Sequence, residues 1–225
     1  QDHWDINTIK YFDKKVTFYI PDLNFNRIIG DRLKLLGFKN IVYLKLNKNH
    51  RINKKFTIRV IPPLNTNALE TNSINKEDNN LIAIDTGVMI KFYDKSNHLI
   101  LSDNSPYDLK KFKELFRNIK ISSLFFPYNG FAQDYPLKYD NLSVTDKKKI
   151  SLKMSLKREE YLLKFIKYLQ PKVLIPHSSD FILNTNRNLF TRIHSQEFID
   201  KFLYSKRIQN LTNIQSYALY CEDEL

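Results

Sequence analysis

Apolar and polar residues along the chain follow two periods, one typical of strands and one typical of helices. Apolar positions at helical spacing predict helices over residues 24–36 and 146–169, and a further helix after Ser105. A hairpin is predicted at 94–97, which interrupts the alternation of strands and helices, so we predict an α/β layered fold with a mixed sheet. Short runs of β-branched and aromatic residues predict the strands, over residues 16–20, 41–46, 56–61, 81–84, 88–93, 98–101, 119–126 and 172–176.

The composition favours a single folded domain over residues 1–225. Hydrophobic residues make up 42% of the chain and only 4 Gly and 8 Pro interrupt it, which argues against disorder. No apolar run approaches the ~20 residues of a membrane helix, and the single cysteine, Cys221, cannot form an internal disulfide. We therefore expect a cytoplasmic protein with no membrane partner. Because the chain opens on Gln1 rather than Met, we also expect its natural start to lie upstream.

The charge of the chain is strongly positive. Its 36 Lys and Arg against 24 Asp and Glu give a net charge of +12, which would attract nucleic acid, anionic lipid or phosphorylated metabolites. Charge alone does not choose among these. We expect a small anionic substrate and treat nucleic acid as a less favoured partner. Lysine clusters such as residues 147–149 are typical of solvated helix faces.

Two strand ends carry side chains that could do chemistry. Asp103 follows the strand predicted at 98–101 and His177 follows the one at 172–176. A carboxylate at such a position can face a site, and a neutral imidazole can ligate a metal. Asp103 could equally cap the next helix, and His177 could be structural. We expect the other histidines of the strands and loops at the surface, namely His50, His98 and His194.

Short motifs then resemble a family. Residues 1–5 (QDHWD) resemble the end of the His-x-His-x-Asp-His signature of metallo-β-lactamase-fold enzymes, residues 102–105 (SDNS) their bridging aspartate, and residues 175–177 (IPH) their final histidine. Residues 127–136 (PYNGFAQDYP) and 161–176 resemble the branch of ascorbate-lactonase-like and CMP-N-acetylneuraminate hydroxylase-like proteins. The resemblance implies an αββα sandwich with mixed sheets whose N-terminal part is missing.

The resemblance also implies a site. Asp2, His3 and His177 would bind one divalent metal and Asp103 would bridge to a second, with Asp2 and Asp103 as the catalytic carboxylates. Zinc is the first expectation, with iron or manganese as alternatives. Two upstream histidines are absent, so either one metal binds, or an unusual ligand completes the pair, or the ion is redox-active. Residues Tyr128, Asn129 and Gly130 would bind substrate.

Three functions remain open at this point. The first is a metal-dependent hydrolase of a phosphorylated or sugar-linked anionic metabolite, in which a metal activates water. The second is a hydroxylase-like oxygenase acting on a nucleotide sugar, although the chain has only one cysteine and no cluster for an iron–sulfur centre. The third is a catalytically silent or nucleic-acid-binding relative.

Overall fold

The computed structural model describes residues 5–23, 27–62, 86–101, 109–128, 136, 139–177, 189 and 192–219. Two predicted elements fall outside these residues, namely the strand at 81–84 and the start of the helix after Ser105. The fold below is that of the described residues.

Strands occupy most of the apolar runs that the sequence marks out, because β-branched and aromatic side chains fit a pleated, half-buried surface. Within the described residues they are β1 (Phe18–Asp22), β2 (Ile41–Lys45), β3 (Asn49–Arg51), β4 (Phe56–Ile61), β5 (Gly87–Phe92), β6 (Asn97–Ile100), β7 (Ser123–Pro127), β8 (Val173–His177) and β9 (Gln215–Ser216).

Helices separate several of these strands, and the longest has well-formed ends. Ser143 caps it, because its hydroxyl accepts a hydrogen bond from the Asp146 N–H at 3.1 Å. Gln170 ends it in the left-handed conformation, with φ of 44°. The helices of the described residues are α1 (Ile6–Ile9), α2 (Ile28–Leu35), α3 (Leu109–Leu115), α4 (Val144–Leu169), α5 (Gln196–Ile199) and α6 (Lys201–Thr212).

The strands form two sheets. β1 and β2 make a two-stranded parallel sheet, with α2 between them in sequence. The other strands make a seven-stranded sheet in the order β3-β4-β5-β6-β7-β8-β9. Pairing is antiparallel from β3 to β6 and parallel from β6 to β9. The predicted mixed sheet is therefore confirmed, as is the hairpin that joins β5 to β6.

The core lies along the middle of the larger sheet. Met89, Leu99, Leu124 and Leu174 are aligned in register on four adjacent strands, and all four belong to one buried cluster. The helices contribute Phe112 from α3, Phe165 and Ile166 from α4, and Ile208 from α6 to the same cluster. The sheet therefore gains its stability by burying apolar side chains under α3, α4 and α6.

Two predicted strands differ from the observed ones by more than one residue at an end. The first strand was expected to end before Pro21 but continues through Pro21 to Asp22. Among the residues that the structure describes, β1 has a strand partner on one side only, so a proline without an N–H is tolerated there. The strand expected over 119–126 begins only at Ser123, because Asn118 adopts a positive φ of 65° and residues 119–122 form the connection.

Candidate functional site

The carboxyl ends of the parallel strands meet at one edge of the larger sheet. β6, β7 and β8 are parallel, and His177 at the end of β8 is paired with Pro127 at the end of β7. The Tyr128 N–H donates a hydrogen bond to the His177 carbonyl at 3.2 Å. Open α/β sheets bind ligands beyond this kind of edge, where side chains from several strands converge.

The ring of His177 links the ends of β6 and β8. Its Nε2 lies 2.7 Å from the carbonyl oxygen of Leu101, the residue directly after β6. A carbonyl can only accept a hydrogen bond, so Nε2 carries the hydrogen. In the neutral ring the lone pair is then on Nδ1. The backbone of Leu101 therefore fixes both the tautomer and the orientation of His177.

This hydrogen bond fits a metal-ligating histidine. Such a residue commonly donates one ring N–H to a backbone carbonyl, which orients the ring and raises the basicity of the other nitrogen. His177 is half-buried at the end of its strand, so its ring is partly shielded from water. Its donor chemistry suits zinc, iron or manganese alike.

Most of the predicted site lies outside the described residues. These are Asp2, His3, Asp103, Asn129 and Gly130. Among the residues that the structure describes, no three His, Cys, Asp or Glu side chains cluster closely enough to hold an ion. The metal set therefore stays a prediction, and His177 is its one described member.

Tyr128 was predicted to bind substrate, and its side chain is fully buried. Its ring stacks on Tyr204 of α6, with centroids 5.7 Å apart and an interplanar angle of 21°. Tyr204 also lies against Phe198, at 5.9 Å. The side chain of Tyr128 therefore supports the sheet edge from inside the core, while its backbone contacts the carbonyl of His177.

The expectation that His194 lies at the surface was wrong. His194 is only 4% exposed, and its Nδ1 lies 2.5 Å from the hydroxyl of Ser151 on α4. Burial lowers the pKa of His194 to about 4. No pattern in the sequence indicates this contact, because the neighbours of His194 are polar and Ser151 is 43 positions away.

The two remaining histidines are half-buried. His98 Nδ1 lies 2.7 Å from Ser123 Oγ across the β6–β7 pair, and its Nε2 lies 3.1 Å from Ser96 Oγ. His50 Nε2 lies 2.9 Å from the Lys45 carbonyl. Neither ring is fully exposed, because each side chain bonds to a neighbouring strand or turn.

Comparison with known proteins shows the fold. No family model and no curated protein sequence matches the chain. An isothiocyanate hydrolase from Delia radicum gut bacteria is similar over 97% of this chain and 70% of its own, with a TM-score of 0.54 and 14% identity. A possible metal-dependent hydrolase from Veillonella parvula is similar over 99% of this chain and 71% of its own, with a TM-score of 0.59 and 14% identity. This chain has the same fold as these solved structures.

Proposed function

We propose that the chain belongs to a metal-dependent hydrolase of the metallo-β-lactamase-like αββα type. The observation that carries the proposal is the hydrogen bond between His177 and the Leu101 carbonyl, at the edge where the parallel strands end. Two solved structures of the same fold are described as hydrolases, one of them as a possible metal-dependent hydrolase. A shared fold does not by itself imply a shared function, so the proposal rests on the residues of the site.

One of the other predicted ligands, Asp103, is close to this edge along the chain. Asp103 follows Leu101 by two residues, and two residues span at most about 7 Å. Asp2 and His3 would complete the set. A divalent metal with an open coordination position polarises a phosphoryl or carbonyl oxygen and lowers the pKa of water. His177 would contribute the lone pair on Nδ1, held in place through Nε2.

We further propose that the substrate is a small anionic metabolite that is phosphorylated or sugar-linked. The net charge of +12 favours this class, because a positive field raises the local concentration of anions and speeds their association. The hydroxylase-like alternative needs an electron donor, and this sequence has no set of cysteines that could hold an iron–sulfur cluster.

The first test compares two histidines of the larger sheet, one on β8 and one on β6. His177→Ala should lower the metal content of the purified protein to less than about a tenth. Loss of a group that only orients a ligand lowers metal affinity about 10–100-fold, and loss of the ligand itself should lower it at least as much. His98→Ala should leave the metal content unchanged, since His98 contacts Ser123 and Ser96 instead. Elemental analysis measures both. Equal metal content in the two variants would contradict the assignment of His177 as a metal ligand.

The second test addresses the reaction. The metal-loaded protein is assayed with a phosphodiester, a lactone and an isothiocyanate, beside His177→Ala and His98→Ala. We expect hydrolysis of one of these substrates that is lost in His177→Ala and retained in His98→Ala. Metal binding without hydrolysis of any of them would contradict the proposed hydrolase.

A further inference from the structure

The first half of α4 has an unusual distribution of polar and apolar side chains. Its buried positions are polar, namely Lys147, Ser151, Ser155 and Glu159. Two leucines, Leu152 and Leu156, are instead exposed, each at 43%. An ordinary surface helix buries its leucines and exposes its polar residues, so the pattern is inverted over these turns.

The inversion follows from where this half of the helix lies. α4 has 26 residues and is about 39 Å long, whereas β7 and β8, the strands on either side of it in sequence, have 5 residues each and span about 17 Å. All of its contributions to the core cluster come from its second half, from Leu162 onward. The first half therefore extends past the carboxyl edge of the sheet, the edge that holds His177.

The exposed leucines are flanked by lysines on both sides. At 100° per residue, Lys148 lies on one side of the Leu152–Leu156 pair, and Lys149, Lys153 and Lys157 lie on the other. All four lysines are exposed. We call these six residues the lysine face. They are Lys148, Lys149, Leu152, Lys153, Leu156 and Lys157.

The lysine face has an excess of positive charge within the described part of the chain, where the pKa of Glu160 is lowered chiefly by its hydrogen bond with Lys164 and least by the charge of Lys157. None of its lysines forms an ion pair with a carboxylate there. The next exposed acid along the helix, Glu160, is paired with Lys164 at 2.8 Å. Lys149, Lys153 and Lys157 are spaced four residues apart, and like charges at this spacing destabilise a helix. An external anion would relieve that repulsion.

We propose that the lysine face binds the surface of an anionic lipid bilayer. The lysines would contact lipid phosphates, while Leu152 and Leu156 would enter the apolar boundary beneath them, as in helices that lie in a membrane interface. The leucines favour lipid over nucleic acid, because a phosphate backbone offers nothing for an isobutyl side chain to contact.

This proposal departs from the sequence-based expectation of no membrane partner. That expectation rested on the lack of a spanning segment, and no helix among the described residues is long and apolar enough to cross a bilayer. Binding at the membrane surface requires no spanning segment, only a basic helix face with a few apolar side chains.

The experiment is co-sedimentation with vesicles, using the full chain. Phosphatidylcholine vesicles with about one third phosphatidylserine should bind the protein, and pure phosphatidylcholine vesicles should not. Lys149→Glu/Lys153→Glu/Lys157→Glu should weaken binding by on the order of 100-fold, at about fivefold for each lost cation. Leu152→Ser/Leu156→Ser should weaken it at least about fivefold through lost apolar burial. Circular dichroism verifies that each variant is folded.

A matched control separates a local face from general charge. Lys48→Glu/Lys54→Glu/Lys55→Glu changes the net charge equally at exposed positions around β3, and it should retain binding within about twofold. Failure to bind phosphatidylserine vesicles overturns the proposal. So does equal loss in the control, or binding that is unchanged in the leucine variant. Binding to a single-stranded RNA homopolymer, lost in the α4 lysine variant and unchanged in the leucine variant, would assign the face to nucleic acid instead.

Discussion

Hydrogen bonds between neighbouring side chains lower the pKa of Asp94 and decide which nitrogen of a neutral His98 ring carries its hydrogen. Asp94 Oδ1 accepts a hydrogen bond from the Ser96 hydroxyl at 2.6 Å, and this bond keeps the pKa of Asp94 below its usual value. The Ser96 hydroxyl donates its only hydrogen to Asp94, so its oxygen accepts a hydrogen bond from His98 Nε2. His98 Nδ1 then accepts from the Ser123 hydroxyl. As with His177, the partners decide which ring nitrogen carries the hydrogen.

His194 makes folding sensitive to acid. Burial lowers its pKa from 6.5 in the unfolded chain to about 4 in the folded one. Between these values the unfolded state binds more protons than the folded state, so stability is fully present above pH 6.5 and falls as the pH drops toward 4. The loss should be no more than about 3 kcal/mol.

His194→Asn should remove most of this pH dependence, because asparagine does not titrate. Urea unfolding at about pH 7 and about pH 5 measures the effect as the difference between the unfolding midpoints at the two pH values. His50→Asn is the control and should retain the pH dependence of the wild-type protein. An unchanged dependence in His194→Asn would show that other groups cause it.

At the scale of elements, a charged cluster joins α4 to the C-terminal helices. Arg207 of α6 donates two hydrogen bonds to Glu159 of α4, from Nε at 2.7 Å and from a terminal nitrogen at 2.9 Å. It also contacts Glu197 of α5 at 2.8 Å. These contacts raise the pKa of Arg207, chiefly through the hydrogen bonds that it donates to Glu159. One guanidinium therefore connects three helices.

Glu159→Ala should destabilise the fold by about 2–4 kcal/mol, because it leaves the partly buried Arg207 without its main partner. Glu160→Ala is the matched control one residue along the helix. Its pair with Lys164 is solvent-exposed on both sides, so the unfolding midpoint should hardly move. Chemical denaturation compares the two. Similar midpoints would mean that the Arg207 cluster contributes little to stability.

At the scale of the whole molecule, one core under three helices holds the larger sheet together. Phe165 of α4 is fully buried and meets Phe112 of α3 edge to face, with ring centroids 4.6 Å apart. Leu124 and Leu174, at the centre of the sheet, belong to the same cluster. Loss of one of these side chains therefore affects the sheet and the helices together.

Phe165→Ala should destabilise the protein by about 3–5 kcal/mol, as for other large-to-small changes in a packed core. Leu152→Ala on the exposed side of the same helix should change stability by less than about 0.5 kcal/mol. Thermal or urea unfolding measures both. A Phe165 variant as stable as the Leu152 variant would contradict the assignment of Phe165 to the core.

Local patterns in the sequence determined much of the fold by themselves. The apolar periodicity of residues 146–169 predicted α4, and the alternating run at 56–61 predicted β4 with its observed bounds. The hairpin between β5 and β6 was also predictable, because its turn residues are adjacent in sequence. The position of His177 at a strand end followed from the short apolar run before it.

Only the tertiary structure decided how distant residues meet. The Leu101 carbonyl and the ring of His177 are 76 positions apart, and Glu159 and Arg207 are 48 apart. No local period encodes such pairs, because packing of whole elements sets them. The same reason explains the wrong expectation for His194. Its polar neighbours in sequence suggested exposure, but its ring is buried beside the hydroxyl of Ser151, 43 positions away.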